Sequence, residues 1–195
     1  MARRIGLTRE VVLATAVKLA EHEGSGAVTL AAVADQLGIK SPSLYAHFDN
    51  LASLHRSISL RAAAELGQYL QAARQGHRGG LALAAVAHAY LRFARAHPGW
   101  YEIIHATPPD NRDNELYRAL AGLVMPLVES LSEMGAAPAE LIHQTRLVRS
   151  ALHGFVSLER SNGFGPPVGF DQSFERLVAL LVSGVSAGRS GHPPG

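Results

Sequence analysis

The chain has 195 residues, 47% of them hydrophobic and 17% charged, with a formal net charge of +2 and no cysteine, the make-up of one or two globular domains with a substantial core. The missing cysteines exclude a disulfide scaffold, a thiolate metal site, an iron–sulfur cluster and a cysteine nucleophile. Basic residues outnumber acidic ones 9 to 6 over positions 1–78, whereas positions 79–195 carry 9 against 10, so an acidic partner suits the front and an uncharged or amphipathic one the remainder. The most apolar stretch, Leu81 to Ala94, is broken by His88 and Arg92 and falls short of the roughly 18 unbroken apolar residues of a spanning helix. The opening Met1-Ala2-Arg3-Arg4 has the charge of a signal-peptide start, but Glu10 and Lys18 interrupt the apolar segment behind it, which leaves the cytoplasm as the expected location.

Val, Ile and Thr never form an alternating run, whereas apolar residues recur three and four apart in one segment after another; this predicts an all-α chain of about nine helices. Thr8 is placed to cap a first helix with the inner stripe Leu13, Ala16, Val17 and Ala20, stopped at Gly24. Thr29 caps the next, whose stripe is Leu30, Val33, Ala34 and Leu37, and Gly38 ends it. Ser41 to Phe48 form a short third helix with Pro42 in its first turn and Leu44 and Phe48 as a buried pair. A connecting helix over 51–73 comes next, then helices near 81–97, 99–106, 113–134, 138–162 and 171–187, the last capped by Asp171. The expected division is a head at 1–50, a second domain at 51–188 and a disordered tail at 189–195.

Helix 30–37, a tight turn at Gly38 and the short helix make a helix-turn-helix, with a left-handed Gly38 allowing the reversal. If Leu44 and Phe48 point inward, the outer face carries Lys40, Ser41, Ser43, Tyr45 and His47, all hydrogen-bond donors, and no acid stands between Gln36 and Phe48. A helix of that diameter fits the major groove of DNA. Thr29 and the free N–H groups beside it can hold a phosphate oxygen, and Arg3 and Arg4 form an arm able to reach the backbone or a minor groove.

On these residues the chain resembles the tetracycline-repressor-like (TetR) regulators over positions 8–58, through the core string Thr29 to Ile39 and above all Ser43-Leu44-Tyr45-Ala46-His47-Phe48. The resemblance implies a homodimer on a palindromic operator, with Tyr45 and His47 on phosphates and Lys40, Ser41 and Ser43 near base edges. The family pattern has a basic residue shortly after the Phe; here Asp49-Asn50-Leu51 stands there, and Arg56 is the nearest substitute. Leu152-His153-Gly154 resembles the C-terminal domain of a TetR subgroup named for a Trp-His-Gly motif, with leucine in place of the tryptophan.

The back half mixes aromatic bulk with isolated polar groups, as helix-lined ligand pockets do. Phe93, Trp100, Ile104, Met125 and His153 are the candidate ligand residues, although the same side chains would also serve an ordinary core. Leu141, Val148 and Phe155 recur seven apart, and Leu147, Ala151, Gly154 and Leu158 form a second stripe; with helix 171–187 they ask for a partner chain and a four-helix bundle. None of the ten histidines lie three or four apart, so neither a metal site nor any cofactor is expected. The reading is a ligand-responsive transcriptional regulator, a repressor in preference to an activator, leaving DNA when a small molecule fills the back half. Its rivals are a helical interaction module without DNA binding and an enzyme; no nucleophile elbow, metal spacing or forced acid–base pair supports the latter.

Overall fold

Two threonines start the fold. In the computed structural model of the chain, Thr8 Oγ1 accepts from the Val11 N–H at 3.2 Å and Thr29 Oγ1 from the Ala32 N–H at 3.1 Å, each pairing a donor that a helix start leaves open. The structure describes residues 6–107, 114–166 and 169–187; the expected tail and the Arg3–Arg4 arm lie outside them. Among the described residues all regular structure is helical: α1 (Arg9–Glu23), α2 (Leu30–Gln36), α3 (Leu51–Arg74), α4 (Gly79–Ala96), α5 (Pro98–Ala106), α6 (Asn114–Gly122), α7 (Met125–Glu133), α8 (Pro138–Arg160) and α9 (Phe170–Ala187). Short 3-10 segments occupy Ser25–Ala27 and Ser41–Ala46.

Three expectations need correction. The single helix over 113–134 is two, because Gly122 weakens the helix and Pro126 lacks the N–H that would continue it; the apolar spacing runs on through the break and hides it. Asp171 does not cap the last helix but sits inside its first turn, where the Gly169 carbonyl accepts from the Ser173 N–H at 2.9 Å. In α1, Leu13 is only half-buried, while Val12 and Leu19 are sealed beside Ala16 and Ala20.

The chain divides into two compact units, Met1–Glu65 with Ala94–Leu120 and Leu66–Phe93 with Ala121–Gly195. The core of the first joins Val12, Ala16 and Ala20 of α1 to Val33, Leu44, Phe48, Leu54 and Ile58, and takes in Ile103 of α5. Helix α5 approaches α1 through a residue with no side chain: a Cβ on Gly99 would stand 2.0 Å from the Ala20 carbonyl oxygen. Around that contact Glu21 accepts the Trp100 N–H at 3.3 Å, and Glu102 accepts the Ser25 N–H and hydroxyl at 3.2 and 2.6 Å. Burial pushes the Glu21 carboxyl above its usual range, against the pull of His97 and the Trp100 N–H.

The second unit buries Leu83, Val86, Leu131, Val148, Leu152 and Phe174. Glu133 at the end of α7 accepts the Gly79 N–H at 2.8 Å and Arg74 at 2.6 Å, tying the end of α3 and the start of α4 to α7. The Gly79 N–H, more than the arginine, holds that carboxyl below its usual range. Phe155 meets Phe174 edge-on at 5.0 Å and Phe164 at 4.9 Å, fastening the turn between α8 and α9. No helix among the described residues is long and apolar enough to cross a membrane.

Candidate nucleic-acid interface

The turn after α2 is built as its glycine requires. Gly38 sits at φ +65°, its N–H donates to the Asp35 carbonyl at 2.9 Å, and the Ile39 N–H donates to Ala34 at 3.0 Å, closing the helix by a left-handed cap. The segment beyond it is wound more tightly than the expected α-helix over Ser41 to Phe48: a 3-10 helix runs from Ser41 to Ala46, opened by the Ser43 N–H on the Lys40 carbonyl at 2.9 Å. A period of three residues sets Ser41, Leu44 and His47 on one side. Leu44 is accordingly sealed, Ser41 and His47 are half-buried beside it, and Lys40, Ser43 and Tyr45 are exposed. Tyr45 is 56% exposed, while Leu44 and Phe48 are 0% and 1% exposed. Residues 41–48 therefore anchor by two apolar side chains, Leu44 within the 3-10 segment and Phe48 just after it, and present donors outward. Thr29 is exposed at the start of α2, and its oxygen is engaged as the cap, which leaves the hydroxyl hydrogen to donate.

Two supports of this segment escape a reading of the sequence. The Arg9 guanidinium donates to the His47 carbonyl at 2.7 Å and to Ser57 Oγ at 2.8 Å, and lies 4.2 Å from the centre of the Phe48 ring. One side chain of α1 thus clamps the exit of the 3-10 segment to the first turns of α3, combining charge-assisted hydrogen bonds with a cation–π contact. Its partners lie 38 and 48 residues away, and the 38-residue contact is to a backbone carbonyl, so no local pattern announces it. The second support is at Asn50, where the family pattern would place a basic residue nearby: Asn50 Oδ1 accepts the Ser53 N–H at 2.8 Å and Ser53 Oγ accepts the Asn50 N–H at 3.3 Å. This reciprocal cap gives the Asp49-Asn50-Leu51 departure a structural use. Arg56 pairs with Glu115 at 2.8 Å.

The candidate ligand residues are divided between the two units. Trp100 packs at the edge of the head core and Ile104 is buried in the same unit, whereas Phe93, Met125 and His153 belong to the other. Met125 is 47% exposed at the start of α7. Phe93 is sealed beside Tyr69, with ring centres 6.1 Å apart. His153 is half-buried on α8; burial, then the charge of Arg149, lowers its pKa. Among the described residues no three His, Asp or Glu side chains converge as a metal ion would need.

An exposed donor-bearing turn on a three-helix support defines a helix-turn-helix protein. The family model of bacterial regulatory proteins of the tetR family matches residues 12–57, and that of the tetracyclin repressor-like C-terminal domain matches residues 83–181. The uncharacterized HTH-type transcriptional regulator YobS of Bacillus subtilis is 31% identical over 95% of this chain and 96% of its own. The fold is shared with a TetR variant of Acinetobacter baumannii AYE in complex with minocycline, at 20% identity and a TM-score of 0.69 over 94% of this chain and 98% of that one. It is shared too with BioQ bound to its double-stranded DNA operator, at 20% identity and a TM-score of 0.70 over 93% and 99%. The chain belongs to the tetR family of helix-turn-helix transcriptional regulators and is a DNA-binding regulator.

Proposed function

We propose that the chain acts as a homodimeric repressor on a palindromic operator and is released by a small molecule held in its second unit; it is not an enzyme. The observation that carries the DNA side is the sorting of residues 41–48, with Leu44 and Phe48 sealed while Ser43 and Tyr45 stand in water. Thr29, Tyr45 and His47 hold phosphates, and Lys40, Ser41 and Ser43 read base edges, a division in which the first group fixes register and the second gives sequence preference. The dimer is supported by apolar residues left in water on α8 and α9: Leu147 is 67% exposed, Leu158 45% and Leu180 67%. Gly154 and Gly184 have nothing within 4 Å of a built Cβ, so a second copy's helices can approach closely there, as a four-helix bundle across a two-fold axis requires. The two heads of such a dimer engage successive major grooves when their 3-10 segments stand about 34–36 Å apart. A ligand that favours another spacing lowers operator affinity, and by linkage the operator lowers ligand affinity by the same factor.

A gel shift on the DNA upstream of the chain's own gene tests this reading. Tyr45→Ala with His47→Ala is expected to weaken binding across sequences, and Ser43→Ala to change which sequence is preferred. Unchanged affinity in the double variant would falsify the assignment of the DNA face.

A further inference from the structure

Between α7 and α8, wholly within the second unit, lies a groove of about 410 Å³, inside the roughly 300–1,000 Å³ range of small-molecule sites. Its walls are apolar: Val124 and Val128, one turn apart, stand opposite Leu141 and Ile142. One turn further along α8 comes Thr145, 8% exposed, whose hydroxyl oxygen is shut off from water and has no hydrogen-bond partner. That is unusual for a helical threonine, which commonly donates to the carbonyl four residues back. At the same end Arg146 and Arg149 form the rim, both exposed. No carboxylate lines the groove, and neither arginine forms an ion pair among the described residues.

These groups describe a ligand. The apolar walls fit a hydrocarbon body, the two guanidinium groups fit an anionic head that they can hold by paired N–H donors, and the unpartnered hydroxyl beside them lacks only a polar atom to bond. No aromatic ring lines the groove to stack a base, which disfavours a nucleotide. The position on α8 also leaves the dimer face open. At 100° per residue, Gly154 falls opposite Thr145 on the helix, so the stripe of Leu147, Gly154 and Leu158 lies away from the groove.

We infer that the α7–α8 groove binds an amphipathic carboxylate, with its apolar tail between Val128 and Leu141 and its head on Arg146 and Arg149. As the identity of an effector this rests on the regulatory reading above; as a binding site it does not. Calorimetric titration of the full DNA-free chain with decanoate, kept below its micellar concentration, is expected to give saturable binding. Decan-1-ol, which keeps the tail and lacks the charge, binds about tenfold more weakly or worse, a difference of one decade in Kd. Arg146→Gln with Arg149→Gln brings decanoate to the level of the alcohol, with an unchanged circular dichroism spectrum. Ile142→Trp, which fills the groove from its exposed side, removes binding of both. Absence of saturable decanoate binding, or undiminished affinity in the double arginine variant, overturns the site. A gel shift with decanoate reads the regulatory role separately: release of DNA by the native chain and not by the arginine variant supports it. A complex indifferent to decanoate, in a chain that calorimetry shows to bind it, overturns the role in release and leaves the site standing.

Discussion

The two units treat their apolar residues in opposite ways. Among the described residues, the large hydrophobic side chains that the first unit leaves exposed are Tyr45 and Tyr117, each with a hydroxyl to offer; the second leaves Leu81, Ile142, Leu147, Leu158 and Leu180 in water as well. A surface of donors with a sealed interior suits a charged, hydrated partner such as a DNA duplex, and exposed leucines in rows suit an apolar one such as another copy of the chain.

The largest effect that would test this contrast is Phe48→Ala, expected to cost about 3–5 kcal/mol in urea unfolding and to abolish operator binding. If the second unit keeps its own unfolding transition in that variant, the two bodies are energetically separate; a single shared transition breaks the contrast. Gly99→Val comes next: a side chain driven into the Ala20 carbonyl should cost about 1–3 kcal/mol or more, read as a lowered Tm with the DNA complex weakened through α1. Leu147→Glu with Leu180→Glu is expected to convert the proposed dimer to a monomer in sedimentation without lowering the helical content, since both positions are exposed within the protomer. A persistent dimer would move the interface elsewhere. Thr145→Val keeps the shape of the residue and removes a buried hydroxyl that has no partner, so the ligand-free chain should gain about 1 kcal/mol in stability.

The smallest effect is a pH dependence. Burial and Arg149 lower the His153 pKa from the ordinary 6.5, so the unfolded chain takes up a proton at a higher pH than the folded one. The stability contributed by neutral His153 is present above about pH 6.5 and falls away as the pH drops toward the lowered folded value. His153→Gln should flatten the Tm-against-pH curve below pH 6.5, and an unchanged slope would assign that dependence to other groups.

What was legible in the sequence was local. Thr8 and Thr29 as caps, Gly38 as a left-handed turn, and Leu44 with Phe48 as anchors are set by neighbours within a few residues, and each is found as read. The 3-10 winding of Ser41–Ala46 was not legible, because apolar residues four apart suit an α-helix. The break at Gly122 and Pro126 was masked by apolar residues that keep their spacing across it. The Arg9 clamp, the docking of Gly99 on Ala20 and the α7–α8 groove all join positions distant in sequence through backbone atoms or empty space, for which no residue pattern exists.

The brevity of the 3-10 segment limits how much information a protomer can carry. Six residues at about 2.0 Å each make a rod of about 12 Å, and at 3.4 Å per base pair such a rod spans three to four steps of the duplex. A word of four letters recurs by chance about once in 256 positions, far too often for a regulator that must pick one promoter from roughly a million or more competing sites. Pairing two such words at a fixed interval lowers the chance frequency to about one in 65,000 before the spacing itself or the shape of the intervening DNA is counted. In the proposed dimer, addressing a single promoter is therefore a property of the pair, and any change that frees one protomer from the other costs selectivity and affinity together.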